Sequence, residues 1–238
     1  LGRTGATSRV ALYITDDELA GIAEHTETSL RLIPLRQVGA FLNGQDAAIA
    51  THATCLGLWH LDTNYCSRCA TRLEIAAAGW ELHCPRCGDI VYPRQDPSVI
   101  VAINDEGDRL LLAHNSLWES NFYSVIAGYV EAGESLEGAV HREVGEEVGL
   151  EVEEVRYLTS QPWPYPRSLM LGFSARCRTP YFILDEAEID RALWVSRAEF
   201  MELVASRQIS PPGPSTIASN LIENWLGCSI IRPEDHNL

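Results

Sequence analysis

Six carboxylates crowd the 23 residues from Gly128 to Leu150, GYVEAGESLEGAVHREVGEEVGL: Glu131, Glu134, Glu137, Glu143, Glu146 and Glu147. The last three follow Arg142 near the end of a predicted helix. Ser135 is a good N-cap and Gly149 a good C′ stop, and Leu136, Ala139, Val140, Val144 and Val148 recur at helical spacing between them. At about 100° per residue, Glu143 and Glu147 lie one turn apart on one face, with Glu146 close beside them. Like charges packed this closely repel unless a positive charge sits among them. A hard divalent cation such as Mg²⁺ or Mn²⁺, which prefers carboxylate oxygen, meets that need. The competing reading of a glutamate-rich helix is a solvated acidic face, and spacing must decide between the two.

A second constellation is sulfur. Cys66-Ser67-Arg68-Cys69 is followed, fourteen residues on, by Cys84-Pro85-Arg86-Cys87-Gly88. Paired CxxC knuckles supply four thiolates for a closed tetrahedral zinc site, structural because no position is left open for catalysis. Disulfides are the alternative, and they belong to oxidising compartments. Cys55, Cys177 and Cys228 fall outside the pattern and read as small buried hydrophobes. Zinc ribbons also occur in nucleic-acid-binding proteins, and here the nearby cations are Arg68, Arg72 and Arg86.

The third is Ser160-Gln161-Pro162-Trp163-Pro164-Tyr165-Pro166-Arg167-Ser168. Its prolines predict a stiff loop, Trp163 and Tyr165 offer flat faces for stacking, and Arg167 can approach phosphate. The bland alternative is a rigid surface turn with its aromatics packed on the core.

These groups need elements to position them. Val10–Ile14 reads as a strand, Asp16–Ala23 as the start of a helix, and Pro34–Gly44 as a short helix stopped at Asn43-Gly44. Gln45–Trp59 reads as a longer helix. Beyond Asp96 the pattern turns to strands at Ser98–Asn104 and Arg109–His114, a predicted hairpin, then Tyr123–Ala127, Val152–Tyr157, Met170–Cys177 and Ala192–Val195. A helix from Ser215 to Leu226 follows the Pro211-Pro212-Gly213-Pro214 stop. The length of 238 residues accommodates one large or two small domains. A formal net charge of −15 argues against holding nucleic acid by bulk electrostatics, so a polyphosphate would need metal ions or a local basic pocket. There is no apolar run of membrane-spanning length and no signal-peptide core at the N-terminus, which begins with Leu1; a cytoplasmic location is the expectation.

The order Gly128, Glu134, Arg142-Glu143-Val144, Glu146-Glu147, Gly149-Leu150 resembles the Nudix box at every defined position. The Ser160–Ser168 stretch is similar to the SQPWPFPxS array of the NADH pyrophosphatase branch of that family, with Tyr165 in place of Phe. The resemblance implies an α+β chain: a Nudix α/β/α sandwich with a mixed sheet at residues 94–238, preceded by a zinc ribbon at 61–93 and a small N-terminal α+β domain at 1–60. It implies structural Zn²⁺ on Cys66, Cys69, Cys84 and Cys87. Catalytic Mg²⁺ or Mn²⁺ would sit on Glu143, Glu146 and Glu147, with the Ala127 carbonyl and, further on, Glu188. Glu134 would hold Arg142, and Glu147, furthest along the metal face, would help deprotonate water. Gln161, Pro162, Trp163, Pro164, Tyr165, Pro166, Arg167 and Ser168 would contact the dinucleotide. Tyr92 and Tyr129 would stack on its rings, and Arg36 and Ala218 align with further contacts. An acidic contact of the family falls on Gly79, a departure, with Glu81 two residues on.

The implied activity is hydrolysis of NADH or NAD⁺ to nicotinamide mononucleotide and AMP, and removal of NAD caps from RNA 5′ ends, by a homodimer. Two alternatives stay open: a Nudix hydrolase of another substrate such as ADP-ribose, and a non-catalytic NAD-sensing module that binds nucleic acid.

Overall fold

The computed structural model describes residues 1–14, 18, 19, 21, 22 and 33–233. The helix expected over Asp16–Ala23 falls largely outside them. The described chain divides into two compact units, one of residues 1–95 and 163–167, the other of residues 96–162 and 168–238.

In the first unit a short hairpin pairs β1 (Gly2–Thr4) with β2 (Thr7–Arg9). The strand expected at Val10–Ile14 does not form: that segment joins no ladder. Its Tyr13 lies instead on a helix, donating its hydroxyl to the Ala53 carbonyl at 2.7 Å. A Cβ at Gly57 would run into the Tyr13 ring, so the contact requires glycine there. A turn of helix, α1 (Leu35–Val38), continues as a 3₁₀ turn to Phe41. Then α2 (Gly44–Asp62) starts at Asn43, whose side chain accepts from the Gln45 and Asp46 N–H groups. Three short strands, β3 (Glu74–Ala76), β4 (Glu81–His83) and β5 (Ile90–Val91), make an antiparallel sheet. Its core is small: Leu56 and Trp59 of α2 with Cys66, Leu73, Leu82 and Cys84. So few apolar side chains leave a role for metal in holding this unit together.

The second unit is a mixed sheet in the order β11-β7-β6-β10-β9, with β8 also on β6. Its strands are β6 (Asp96–Asn104), β7 (Leu110–Asn115), β8 (Ile126–Tyr129), β9 (Val152–Trp163), β10 (Ser168–Cys177) and β11 (Ile189–Val195). β10 runs parallel to β6, whereas β7 and β8 pair with β6 antiparallel. The helices are α3 (Leu136–Val148), α4 (Arg197–Ala205) and α5 (Ile217–Leu226). Alternation along β6 assigns the layers. Val99, Val101 and Ile103 pack with Ala139, Val140, Val144 and Val148 of α3, while Ile100 and Ala102 pack with Phe200 of α4 and Leu221 and Ile222 of α5. A strand covered on both faces reads as an unbroken apolar run, and SVIVAIN is one.

Two expectations change here. Strand β9 continues past Tyr157 to Trp163, so the predicted stiff loop is strand in its first half and turns only at Pro164. Helix α4 was not anticipated, although Ser196 and Glu199 form a capping box in which each side chain binds the other's backbone N–H.

Candidate active site and metal centres

The sulfur site is built by two matching knuckles. In each, the backbone N–H four residues on turns back to the first cysteine: Ala70 donates to the Cys66 carbonyl at 2.8 Å and Gly88 to the Cys84 carbonyl at 3.0 Å. Both donors adopt positive φ, 55° at Ala70 and 75° at Gly88. Cys66 Sγ lies 3.6 Å from Cys87 Sγ, and Cys69 Sγ 3.4 Å from Cys84 Sγ. All four sulfurs fall within 4.8 Å of one another. Zinc at about 2.3 Å from each thiolate places tetrahedral sulfurs about 3.8 Å apart, so this donor set fits structural Zn²⁺.

The carboxylate site is built on α3. Ser135 caps its start, its hydroxyl accepting from the Gly138 N–H, and Gly149 ends it at φ 64°. Arg142 is the hub. Its Nε and Nη2 donate to the two Glu134 oxygens, both at 2.9 Å, its Nη1 donates to Glu143 at 2.9 Å and Glu146 at 3.0 Å, and its Nη2 reaches the Tyr129 carbonyl at 2.8 Å. The bidentate bond to Arg142 holds the Glu134 carboxyl below the usual range, and the Glu131 N–H adds to this. Glu143 is raised by burial, with Arg142 opposing. Its carboxyl lies directly over Gly128, where an added Cβ would collide with it. The first glycine of the box is therefore a steric requirement of a box glutamate. Ser98, itself buried, donates its hydroxyl to the Gly128 carbonyl at 2.9 Å.

Glu147 is only 7% exposed. Its pKa is pushed up to about 8, first by burial and then by Glu143, Glu188, Asp185 and Glu146. Glu188 and Asp185 arrive from far along the chain. The Ile183 N–H donates to the Val148 carbonyl at 2.9 Å and the Asp185 N–H to the Glu147 carbonyl at 3.0 Å, so this loop caps the C-terminal end of α3. Glu188 was expected here from the resemblance; Asp185, which stands three residues earlier in the same acidic run, was not. A buried carboxyl amid four others is a hard-oxygen donor set whose charges oppose one another, and it fits a divalent cation. Ala127 sits opposite Ile100 on β6. The Val130 N–H bonds the Pro97 carbonyl, so Ala127 falls between hydrogen-bonded pairs and its carbonyl points away from β6.

The remaining predicted residues are distributed over both units. In the second, Tyr129 is 55% exposed and its hydroxyl lies 3.2 Å from that of the buried Ser168. Gln161 has both ends of its amide engaged at the start of α5: Nε2 donates to the Ser215 carbonyl and Oε1 accepts from the Ile217 N–H, each at 2.7 Å. Ala218, in the first turn of that helix, is buried in the core, and Pro162 is exposed. In the first unit, Trp163 and Tyr165 meet edge to face at 5.1 Å, Pro164 is buried between them in sequence, and the Tyr165-Pro166 peptide is cis. Burial raises the Tyr165 hydroxyl, with the Arg36 main chain and charge opposing. Arg167 lies 3.7 Å from Asp62. Tyr92 is 61% exposed. At the family's acidic position, Gly79 offers its carbonyl to His60 Nε2 at 2.9 Å, while Glu81 pairs with His83 at 2.8 Å.

Comparison with known proteins follows the same division. The NUDIX domain family matches residues 94–212, and the NADH pyrophosphatase zinc ribbon domain matches residues 62–92. Over 205 residues the chain is 38% identical to the NAD-capped RNA hydrolase NudC of Mycobacterium bovis, which covers 82% of this chain and 66% of that protein. Over 177 residues it is 40% identical to the protein of the same name from Pseudomonas aeruginosa, covering 74% of this chain and 63% of that one. The chain thus spans just under two thirds of the length of these relatives. Among solved structures, a NUDIX hydrolase from Nitrosomonas europaea superposes with a TM-score of 0.52 at 20% identity, over 71% of this chain and 97% of that one, which shows a shared fold. Among the described residues no helix is long and apolar enough to cross a membrane.

Proposed function

Because the chain belongs to the Nudix family, we propose that it is a divalent-metal-dependent pyrophosphohydrolase. It splits NADH or NAD⁺ into nicotinamide mononucleotide and AMP, and removes NAD caps from RNA 5′ ends to leave 5′-monophosphate RNA. The observation that carries the hydrolytic reading is the buried Glu147 carboxyl gathered with Glu143, Glu146, Glu188 and Asp185 beside Arg142. The choice of substrate draws on the SQPWPYPRS stretch and on the likeness to proteins named NAD-capped RNA hydrolase.

Glu143, Glu146, Glu147 and Glu188, with the Ala127 carbonyl, would hold Mg²⁺ or Mn²⁺, which when bound supplies charge neutralisation for the diphosphate and makes water more acidic. Glu147, whose burial and acidic neighbours raise its pKa and whose carboxylate form a bound cation would restore, takes the proton from the attacking water at its carboxylate oxygen. Arg142 orients Glu143 and Glu146 while Glu134 orients Arg142, so the reacting carboxylates are held from behind. Tyr92, Tyr129 and Trp163 offer aromatic faces to the nicotinamide and adenine rings, and Arg167 meets phosphate. The protein acts as a cytoplasmic homodimer.

The test is a product assay with NADH, ADP-ribose and a short NAD-capped RNA, each with Mg²⁺ or Mn²⁺, beside a Glu147→Gln control. Reduced nicotinamide mononucleotide plus AMP, and 5′-monophosphate RNA, both lost in the control, are the expected products. Cleavage of ADP-ribose alone would move the chain to another substrate class. Tight NADH binding with no turnover of any substrate would replace the enzyme with a sensor.

A further inference from the structure

One buried histidine has no part in the chemistry proposed above. His114, on β7, is 2% exposed, and its Nδ1 lies 2.6 Å from a carboxylate oxygen of Asp190. We propose that His114 is a positioning residue of the metal site: by gripping Asp190 it holds a β-bulge that places Glu188 beside Glu147. The inference rests on the reading of Glu188 as a ligand of Mg²⁺ or Mn²⁺.

The bulge lies in the pairing of β11 with β7. Residues 191–195 pair in step with residues 114–110, Arg191 opposite His114. Ile189 then pairs with Asn115, the very next residue of β7, so Asp190 is left with no residue opposite it. The side chains carry the consequence. Along β7, Leu110 and Leu112 belong to the core under α4 and α5, and Leu111 and Ala113 to the core under α3. Strand β11 matches them, with Leu193 and Val195 on the first side and Ala192 and Trp194 on the second. Unbroken alternation would carry the charged Asp190 to the α3 side and Ile189 away from it. Ile189 instead lies buried in the α3-side core with Val144 and Val148. The extra residue turns the chain over immediately after Glu188.

That turning-over sets the acidic turn at residues 185–188. The Ser116 N–H donates to the Glu188 carbonyl at 2.9 Å, fastening the turn to the end of β7. The Glu188 and Ile189 N–H groups both donate to the Asp185 carbonyl, at 3.0 and 2.8 Å, and the Asp185 N–H closes on Glu147. A one-residue slip of β11 would break the first of these bonds and draw the turn off the end of α3.

The imidazole suits the task. A carboxylate only accepts and a guanidinium only donates, so the ring carries its proton on Nδ1, towards Asp190, and accepts from Arg191 Nη2, 2.8 Å away, at Nε2. A second proton on Nε2 would serve the Glu119 carbonyl, 3.0 Å away, and leave the bond to Asp190 in place. One buried ring thus holds both the bulged residue and the residue after it. A histidine that only filled core space would also stabilise the fold; what separates the two roles is whether its loss reaches the metal through Glu188.

Mn²⁺ binding to the zinc-loaded protein, read by electron paramagnetic resonance of the free ion, makes that separation. The variants are His114→Leu, Asp190→Ala, Asp190→Asn, Glu188→Gln and the double variant Asp190→Ala with Glu188→Gln, each checked for native circular dichroism. The Asp190 side chain is 42% exposed, so its replacement leaves no buried charge unpaired. Asp190→Ala and His114→Leu should each weaken Mn²⁺ binding about tenfold, the usual scale for removing a group that orients a metal ligand. Asp190→Asn loses the charge but keeps an oxygen for the His114 N–H, and should bind Mn²⁺ nearly as tightly as wild type. Adding Asp190→Ala to Glu188→Gln should cost nothing further, because the ligand it positions is already gone. Wild-type affinity in Asp190→Ala beside a weakened Glu188→Gln would overturn the proposal. So would a loss repeated in full on top of Glu188→Gln, which would act on the site without Glu188, or equal losses in Asp190→Ala and Asp190→Asn, which would be an effect of charge. If Glu188→Gln alone binds Mn²⁺ like wild type, the reading of Glu188 as a ligand fails and the proposal falls with it.

Discussion

Replacing Glu147 by glutamine should make the protein more stable, at neutral pH and without divalent ions, while abolishing its activity. The carboxyl has an ordinary pKa near 4.5 and is pushed up to about 8 in the fold. A carboxyl whose folded pKa is raised holds its proton in the native state while the unfolded chain releases it. Native stability therefore falls as pH rises from about 4.5 towards about 8. At 1.36 kcal/mol per unit, the difference is under about 1 kcal/mol at pH 5 and on the order of 3 kcal/mol at pH 7. Glutamine is nearly the same shape and does not titrate, so the variant escapes that cost. For a chain of this size, 3 kcal/mol corresponds to a melting temperature higher by about 6–12 °C. The assay is thermal unfolding of both proteins, zinc-loaded, in buffer stripped of other divalent ions, at pH 5, 7 and 8. The gap should be small at pH 5 and widen with pH. Saturating Mn²⁺ or Mg²⁺ should close it, because at about 100 times its Kd an ion held by the wild type alone returns about 2.7 kcal/mol. A gap that stays flat across pH, or a glutamine variant less stable than wild type at pH 8 without added ions, would refute the reasoning.

Other perturbations separate the parts. Gly128→Ala drives a methyl group into the Glu143 carboxyl, so Mg²⁺ or Mn²⁺ affinity and turnover should both collapse while circular dichroism stays native; wild-type turnover would show that Glu143 is free to move aside. Arg142→Lys keeps the charge but loses the two-pronged grip on Glu134, and should lower kcat/KM by about tenfold or more and stability by about 1–3 kcal/mol, measured by kinetics and urea unfolding. Ala70→Gly relieves a left-handed alanine that costs about 1 kcal/mol, so a modest rise in melting temperature is expected, and a fall would show the first knuckle is not strained. Cys66→Ser should lose zinc and melt earlier while its remaining folded fraction stays active; a variant equally stable and zinc-free would remove the structural role.

Some of this was fixed by local order. Ser135, the helical apolar spacing and Gly149 bound α3 within a single stretch, so the shared face of Glu143, Glu146 and Glu147 could be read from residue spacing alone. The same holds for the knuckles, since two residues between cysteines force both sulfurs to one side of a tight turn. The strand at Ser98–Asn104 was also local, an apolar run of β-branched residues. A missed signal was local too: the Ser196–Glu199 capping box marks α4 in the sequence itself.

What the tertiary structure alone decided is what arrives from elsewhere. Glu147 reads as an exposed helix glutamate until the sheet and the Ile183–Glu188 loop cover it. That loop is placed by backbone bonds to the end of α3, which no spacing encodes, and it brings Asp185 and Glu188 to bear on Glu147. The partners of Gln161 are likewise set from afar: α5, more than fifty residues later, takes both ends of its amide. Val10–Ile14 has the composition of a strand but no neighbouring edge to pair with, and so lies on α2 through Tyr13 instead. Burial, and the pKa shifts it causes, depend on groups distant in the chain. Residue spacing can say which side chains share a face, but only packing sets how far that face is from water.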